Sequence, residues 1–344
     1  MPNSPRLAEA YVVQGGTPKT AIMRRGLLAA TTLPILAQAQ SLAQNAWRPD
    51  RPVRLIVGFA PGCSADLVGR LVAPELAKKL GQPVTVENRS GASGNLATQA
   101  VVAAPADGLT IGFAGLQLAT NPAMIAQLGY DPAGLQMIGQ LVALPVLVFS
   151  SSRSGIRSIP ELAARARALP EGWLTASGGY GTSGHLGPEI VFGAMGARYT
   201  HVVFRGGAPA FQAIAAGEAD VGFDIVAGYH APTAAEGRIN LLAVLQDVRE
   251  PALPNVPAIA EHGFGPAAQM RSWQGLYVRA GTPPAAVMAL HAATNAAVAS
   301  LSERFRALGM TPTPSASPEA FQALYVAEAA RWSGMIRAAG IVAQ

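Results

Sequence analysis

Two glycine-rich turns carry the residues of this 344-residue chain whose types and spacing suit chemistry. The first runs Gly58-Phe59-Ala60-Pro61-Gly62-Cys63-Ser64-Ala65-Asp66, between a strand pattern and a helix pattern. Proline and glycine force a tight turn there, and the helix start presents unpaired N–H groups and a positive dipole end, a setting that holds a carboxylate. Taken alone, Ser64 and Asp66 read equally as a helix cap and a first-turn acid. Cys63 stands at the second glycine position of a Walker-type loop and no lysine follows, which disfavours a nucleotide phosphate.

The second turn runs Ser177-Gly178-Gly179-Tyr180-Gly181-Thr182-Ser183-Gly184-His185. Gly179, Gly181 and Gly184 spell G-x-G-x-x-G, but a dinucleotide site needs an acidic residue about 20 positions on, and Tyr199, Thr200 and His201 stand there instead. What survives is the shared physics: backbone amides and hydroxyls at a helix start form a cradle for an anion.

Ser183 and His185 invite a hydrolase reading, with Asp220 or Asp224 completing a triad. Neither turn spells G-x-S-x-G, and a histidine two residues after the serine at a helix start points away from the hydroxyl, so no catalytic residue is expected. Asp224 ends the run Val221-Gly222-Phe223-Asp224, a strand end where crevice residues sit. There it either accepts from a ligand hydroxyl or amine, or caps the next helix. Cys63, the single cysteine, excludes an internal disulfide and a cysteine metal cage. It reads as a small packing residue, with no neighbouring histidine to hold a thiolate. The remaining histidines are scattered, and Glu261-His262 lacks further ligands at metal spacing, so neither metal nor cofactor is expected.

The elements that position these turns follow from periodicity. After Pro49, strand patterns at Val53 to Phe59, Val84 to Asn88 and Thr110 to Ala114 alternate with helical patterns at Ser64 to Leu80 and Asn95 to Ala104. Ser158-Ile159-Pro160-Glu161 combines a capping box with proline at the first helical position and starts a helix to about Leu169. Strands at Leu174 to Ser177, Tyr199 to Val203, Val221 to Asp224 and Ile239 to Val244, with helices around Leu186 to Met195 and Pro209 to Ala216, make a second α/β unit. The rhythm predicts mostly parallel sheets covered by helices. The apolar runs Leu141 to Phe149 and Ser272 to Val278 are assigned to two crossings between lobes, which would form a hinge. Long helices at Pro283 to Leu301 and Pro318 to Ala338 close the chain, the latter with an apolar stripe through Phe321, Tyr325 and Trp332 assigned to core packing.

At 35.3 kDa the chain exceeds what one core organises, so two lobes are expected: residues 46–147 plus 270–344, and residues 148–269. Residues 1–45 read as an N-terminal extension and signal peptide, with Arg24 and Arg25 before the apolar Gly26 to Leu36, small-residue cleavage sites after it, and a start at Met23. That leader implies export, by the general secretory route ahead of the twin-arginine one. The formal charge of +5 falls to +2 once Arg6, Lys19, Arg24, Arg25 and Glu9 are set aside, and no basic cluster remains to suggest nucleic acid. No stretch after residue 45 reaches the ~18 uninterrupted apolar residues of a membrane span.

From Trp47 onward the chain resembles the Bug-type periplasmic receptors, the substrate-binding components of tripartite tricarboxylate transporters. The resemblance rests on motifs in the family's order: Arg51-Pro52-Val53-Arg54, Phe59-Ala60-Pro61-Gly62, Gly81-Gln82-Pro83-Val84, Val86-Glu87-Asn88-Arg89, Gly91-Ala92-Ser93-Gly94-Asn95, Ser183-Gly184-His185-Leu186, Gly206-Gly207-Ala208-Pro209-Ala210 and Gly281-Thr282-Pro283. It implies a two-lobed type II periplasmic-binding fold that closes on a small mono- or dicarboxylate by way of backbone amides, hydroxyls and waters. The implied site is Phe59, Pro61, Gly62, Asp66, the Gly178 to Ser183 turn, His185 and Asp224, to which the residues themselves add Cys63 and Ser64. The implied partners are membrane permease subunits or a sensor kinase, with the receptor itself a monomer. Cys63, Ala65 and Ile225 depart from the family's glycine, hydroxyl residue and asparagine, which alters pocket width and one or two hydrogen bonds.

Overall fold

A computed structural model of the chain describes residues 47–166, 169, 171–204 and 206–339, and the leader falls outside them. The first α/β run is β1 (Val53–Val57), α1 (Ser64–Leu80), β2 (Val84–Asn88), α2 (Asn95–Ala103), β3 (Thr110–Gly115) and α3 (Leu116–Met124). A long strand, β4 (Leu135–Ser151), leads to α4 (Ile159–Ala166), β5 (Trp173–Ser177), α5 (Ser183–Met195), β6 (Tyr199–Val203) and α6 (Gly207–Ala216). β7 (Val221–Ile225), α7 (His230–Ala235) and β8 (Ile239–Val244) follow, and the chain finishes with β9 (Arg271–Arg279), α8 (Pro284–Ala307), β10 (Thr311–Pro312) and α9 (Pro318–Ala339).

Strands that alternate with helices pair in parallel, β1 with β2 and β3, and β5 with β6 and β7. The centre departs from the expected parallel pattern, because β4 pairs antiparallel with β7, β8, β9 and β10, and β3 with β9. Antiparallel neighbours need no crossover helix between them, so these strands leave no α/β rhythm in the sequence. β4 serves both sheets: Leu135 to Pro145 pairs with β9, and Val146 to Ser150 with β7. The run Leu141 to Phe149 is thus the passage from one sheet to the next. Ser272 to Val278, assigned above to the return passage, lies instead inside the first sheet between β3 and β4. The return comes earlier, where the Leu245 amide donates to Val146 O and the Met270 amide to Leu245 O, both at 2.8 Å.

Helix packing sets the turns against the sheets. Val68, Val72 and Leu76 recur every fourth residue of α1 and are fully buried against the first sheet and α8. Each such side chain contributes roughly 1.5–3 kcal/mol on burial. Trp332 and Ile336 of α9 are buried with Leu116 and Met124 of α3 and Val191 and Phe192 of α5. The C-terminal stripe is therefore core, and it holds α3 in place beside the second turn.

Candidate ligand-binding site

The two turns meet. A cavity of about 120 Å³ is lined by Phe59, Gly62, Cys63 and Ser64 of the first turn, by Gly178, Thr182 and Ser183 of the second, and by Asp224 at the end of β7. Pro61, Asp66, Tyr180, Gly181 and His185 are absent from its wall. Gly179 lines a wider cavity of about 710 Å³ that shares Phe59 and Gly178 with the first.

In the first turn Gly62 has φ +85°, a left-handed conformation open to glycine, and Cys63 caps α1 with Sγ 3.5 Å from the Asp66 amide. The cap is thus Cys63 and not Ser64, whose Oγ accepts from Gln274 Nε2 at 3.1 Å. Burial pushes the Cys63 thiol up, away from thiolate chemistry. Asp66 is 3% exposed and braces the turn from within, accepting from the Gly62 amide at 2.9 Å, Arg70 Nε at 3.0 Å and Asn88 Nδ2 at 2.8 Å. Burial pushes its carboxyl up, but the bonds from Arg70, the Gly62 amide and Asn88 outweigh it and hold the group below the ordinary carboxylate range.

The second turn is braced by a stacked pair of histidines. The His185 and His201 rings lie 4.5 Å apart at 24°, with Tyr180 edge-on to both. His185 Nδ1 accepts from the Gly181 amide at 3.3 Å, and His201 Nε2 lies 2.6 Å from Ser177 Oγ. Burial, with the neighbouring His201, pushes His185 down to about 3, and burial pushes His201 down to about 4. Both rings stay neutral at neutral pH. With Nδ1 taken by the backbone and no hydrogen bond to Ser183, His185 positions the turn and is no general base.

Sequence reasoning missed much of the opposite wall. Gly115, Leu116 and Gln117 bring the start of α3 to the cavity, and Gly207 and Ala208 bring the start of α6, which with those of α1 and α5 makes four helix starts in the wall. Each leaves its first amides without an internal partner. Ser272, Trp273 and Gln274 of β9 complete the wall, and the Trp273 Nε1 and Gln274 Oε1 atoms are buried with no partner among the described residues. The α6 start had a visible signal in Gly206-Gly207, a glycine pair like Gly178-Gly179 of the second turn. α3 and β9 had none, because an apolar stretch around Asn121-Pro122 and the apolar run Ser272 to Val278 carry no helical or alternating period.

Asp224 is the one charged side chain among the described residues of the wall. Its Oδ2 accepts from the Tyr229 hydroxyl at 2.6 Å and its Oδ1 from the Ile225 amide at 2.8 Å. Burial pushes its carboxyl up to about 6, against the lowering effect of these two donors.

The profile of the tripartite tricarboxylate transporter family receptors matches residues 68–341. A protein of Pseudomonas sp. (strain P51), encoded in the tcbD-tcbE intergenic region, is 30% identical over 319 residues, covering 92% of this chain and 94% of that one. BugT of Bordetella pertussis is 30% identical over 304 residues, covering 85% and 90%. Among solved structures, the periplasmic binding protein BugD superposes with a TM-score of 0.79 at 28% identity, over 86% of this chain and all of that one. MatC of Rhodopseudomonas palustris with bound malate gives 0.77 at 29% identity over 84% and 99%, and an R. palustris protein with adipate gives 0.80 at 31% over 86% and 99%. The fold is that of a periplasmic binding protein, and the chain belongs to the tripartite tricarboxylate transporter receptor family, whose members bind solutes and are not enzymes.

Proposed function

We propose that this receptor is exported to the periplasm, captures a small organic acid by its carboxylate in the cavity between the sheets, and delivers it to membrane permease subunits. One observation carries the reading: the starts of four helices, three of them without a side-chain cap, line a single cavity whose described wall holds no lysine or arginine. Amides and helix dipoles fixed in this way hold a carboxylate without a countercharge. The malate and adipate bound by the two R. palustris relatives support the same chemistry, and the paired arginines ahead of Gly26 to Leu36 support export.

The lobes are residues 46–147 plus 270–344 and residues 148–269, and they rotate about the passages through β4 and between Leu245 and Met270. The ligand favours the shut form because only there do both turns reach it. The test is a Thr182→Ala, Ser183→Ala double variant titrated by calorimetry with carboxylic acids. Affinity at least tenfold weaker at an unchanged melting temperature is expected, and undiminished affinity would remove the second turn from the site.

A further inference from the structure

The cavity reaches past the helix starts into an apolar chamber between the second sheet and α6. Its wall there is Phe149, Ala176, Ala210, Phe211, Ile214 and Phe223, each no more than 3% exposed. The Phe149 and Phe211 rings lie 5.6 Å apart at 47°, and Phe211 meets Tyr229 at 4.4 Å, so the chamber is walled by tilted aromatic faces. Gly222 keeps it in shape: a Cβ there would overlap Phe149 Cζ and Ile214 Cδ1. Asp224 and Tyr229, joined by their 2.6 Å hydrogen bond, supply the polar group on this side, and Gly207 at the start of α6 faces the carboxylate.

These features are poorly matched to a ligand charged at both ends. A second carboxylate would have to sit among buried rings or beside Asp224, where like charge and desolvation both oppose it. A flat apolar body fits the chamber, where offset and edge-on contacts with aromatic rings add to burial. At about 120 Å³, the cavity has room for on the order of ten water-sized positions, the size of a single ring bearing one carboxylate and one small substituent.

Building on the carboxylate reading of the same site, we propose that the ligand is a monocarboxylate with an aromatic or compact apolar body. Its carboxylate meets the helix starts, its ring occupies the Phe149–Phe211 chamber, and a hydroxyl or amino donor on the ring reaches Asp224.

The test titrates the full chain by calorimetry with 4-hydroxybenzoate, benzoate, malate, adipate and citrate. 4-Hydroxybenzoate is expected to bind at least tenfold more tightly than malate, adipate or citrate, and several-fold more tightly than benzoate. In Asp224→Asn the advantage over benzoate shrinks to less than twofold. Tighter binding of malate, adipate or citrate than of both aromatic acids overturns the proposed ligand class and leaves the carboxylate reading standing. Binding of none of the five overturns both. Ile214→Asn, which makes the chamber wall polar, should weaken 4-hydroxybenzoate more than tenfold, and undiminished affinity in a folded variant would place the ring elsewhere.

Discussion

The Thr120 hydroxyl donates to the Gly181 carbonyl at 2.9 Å, joining α3, which follows β3 of the first sheet, to the glycine turn that follows β5 of the second. Thr120 is fully buried, and a Cβ at Gly181 would overlap its Oγ1. Gly181 also has φ +71°, so the contact requires both the hydroxyl and the glycine.

Thr120→Val keeps the shape and removes the donor, leaving the Gly181 carbonyl short of a partner at a cost of about 1 kcal/mol. Ligand affinity should fall about fivefold. Gly181→Ala should fall further, because the left-handed backbone adds roughly 1–2 kcal/mol and the methyl meets Thr120. Calorimetry measures the affinities. Small-angle X-ray scattering of the unliganded protein should show both variants more expanded than the parent.

Asp66→Ala strips the acceptor from the Gly62 amide and from Asn88, leaving part-buried donors unpaired at about 1–3 kcal/mol. The melting temperature should drop by several degrees, and affinity should drop with it because the first turn loses its brace. A variant with parental affinity would show that the turn is held by Gly62 and Cys63 alone.

Asp224 sets a pH dependence for the ligand. With its carboxyl at about 6, the group is ionised at pH 7.5, the form that would accept from the hydroxyl of the proposed ligand, and it is protonated at pH 5. Discrimination between 4-hydroxybenzoate and benzoate should therefore be greatest above pH 7 and decline through pH 6, and Asp224→Asn should abolish the decline. Titrations at pH 5, 6 and 7.5 provide the check.

The stacked histidines set a pH dependence for stability. Their folded values of about 3 and 4 lie below the ordinary 6.5, so the unfolded chain takes up protons first as pH falls. The stability they contribute is complete above about 6.5 and is lost as pH drops toward 4 and then 3. His201→Gln retains a partner for Ser177 and removes one titrating ring, so its melting temperature should fall less between pH 7 and 4.5 than the parent's.

The sequence by itself determined the α/β elements and both glycine turns. Those features are local: a strand ending in Phe59-Ala60-Pro61-Gly62 ahead of an apolar helix period fixes a helix start wherever the chain travels. Val84–Asn88, Tyr199–Val203 and Ile239–Val244 stand where their β-branched runs predicted. Tertiary structure alone decided which residues line the cavity. Asp66 and His185 share their turns with Gly62 and Ser183, yet they point into the protein, because Arg70, Asn88 and His201 arrive from other elements to meet them. It also brought the starts of α3 and α6 and the strand β9 to the same cavity, over sequence separations that no periodic pattern records. Hydrophobic period registers which face of an element is buried and is silent on the neighbour that buries it, and that neighbour decides the shape and chemistry of a pocket.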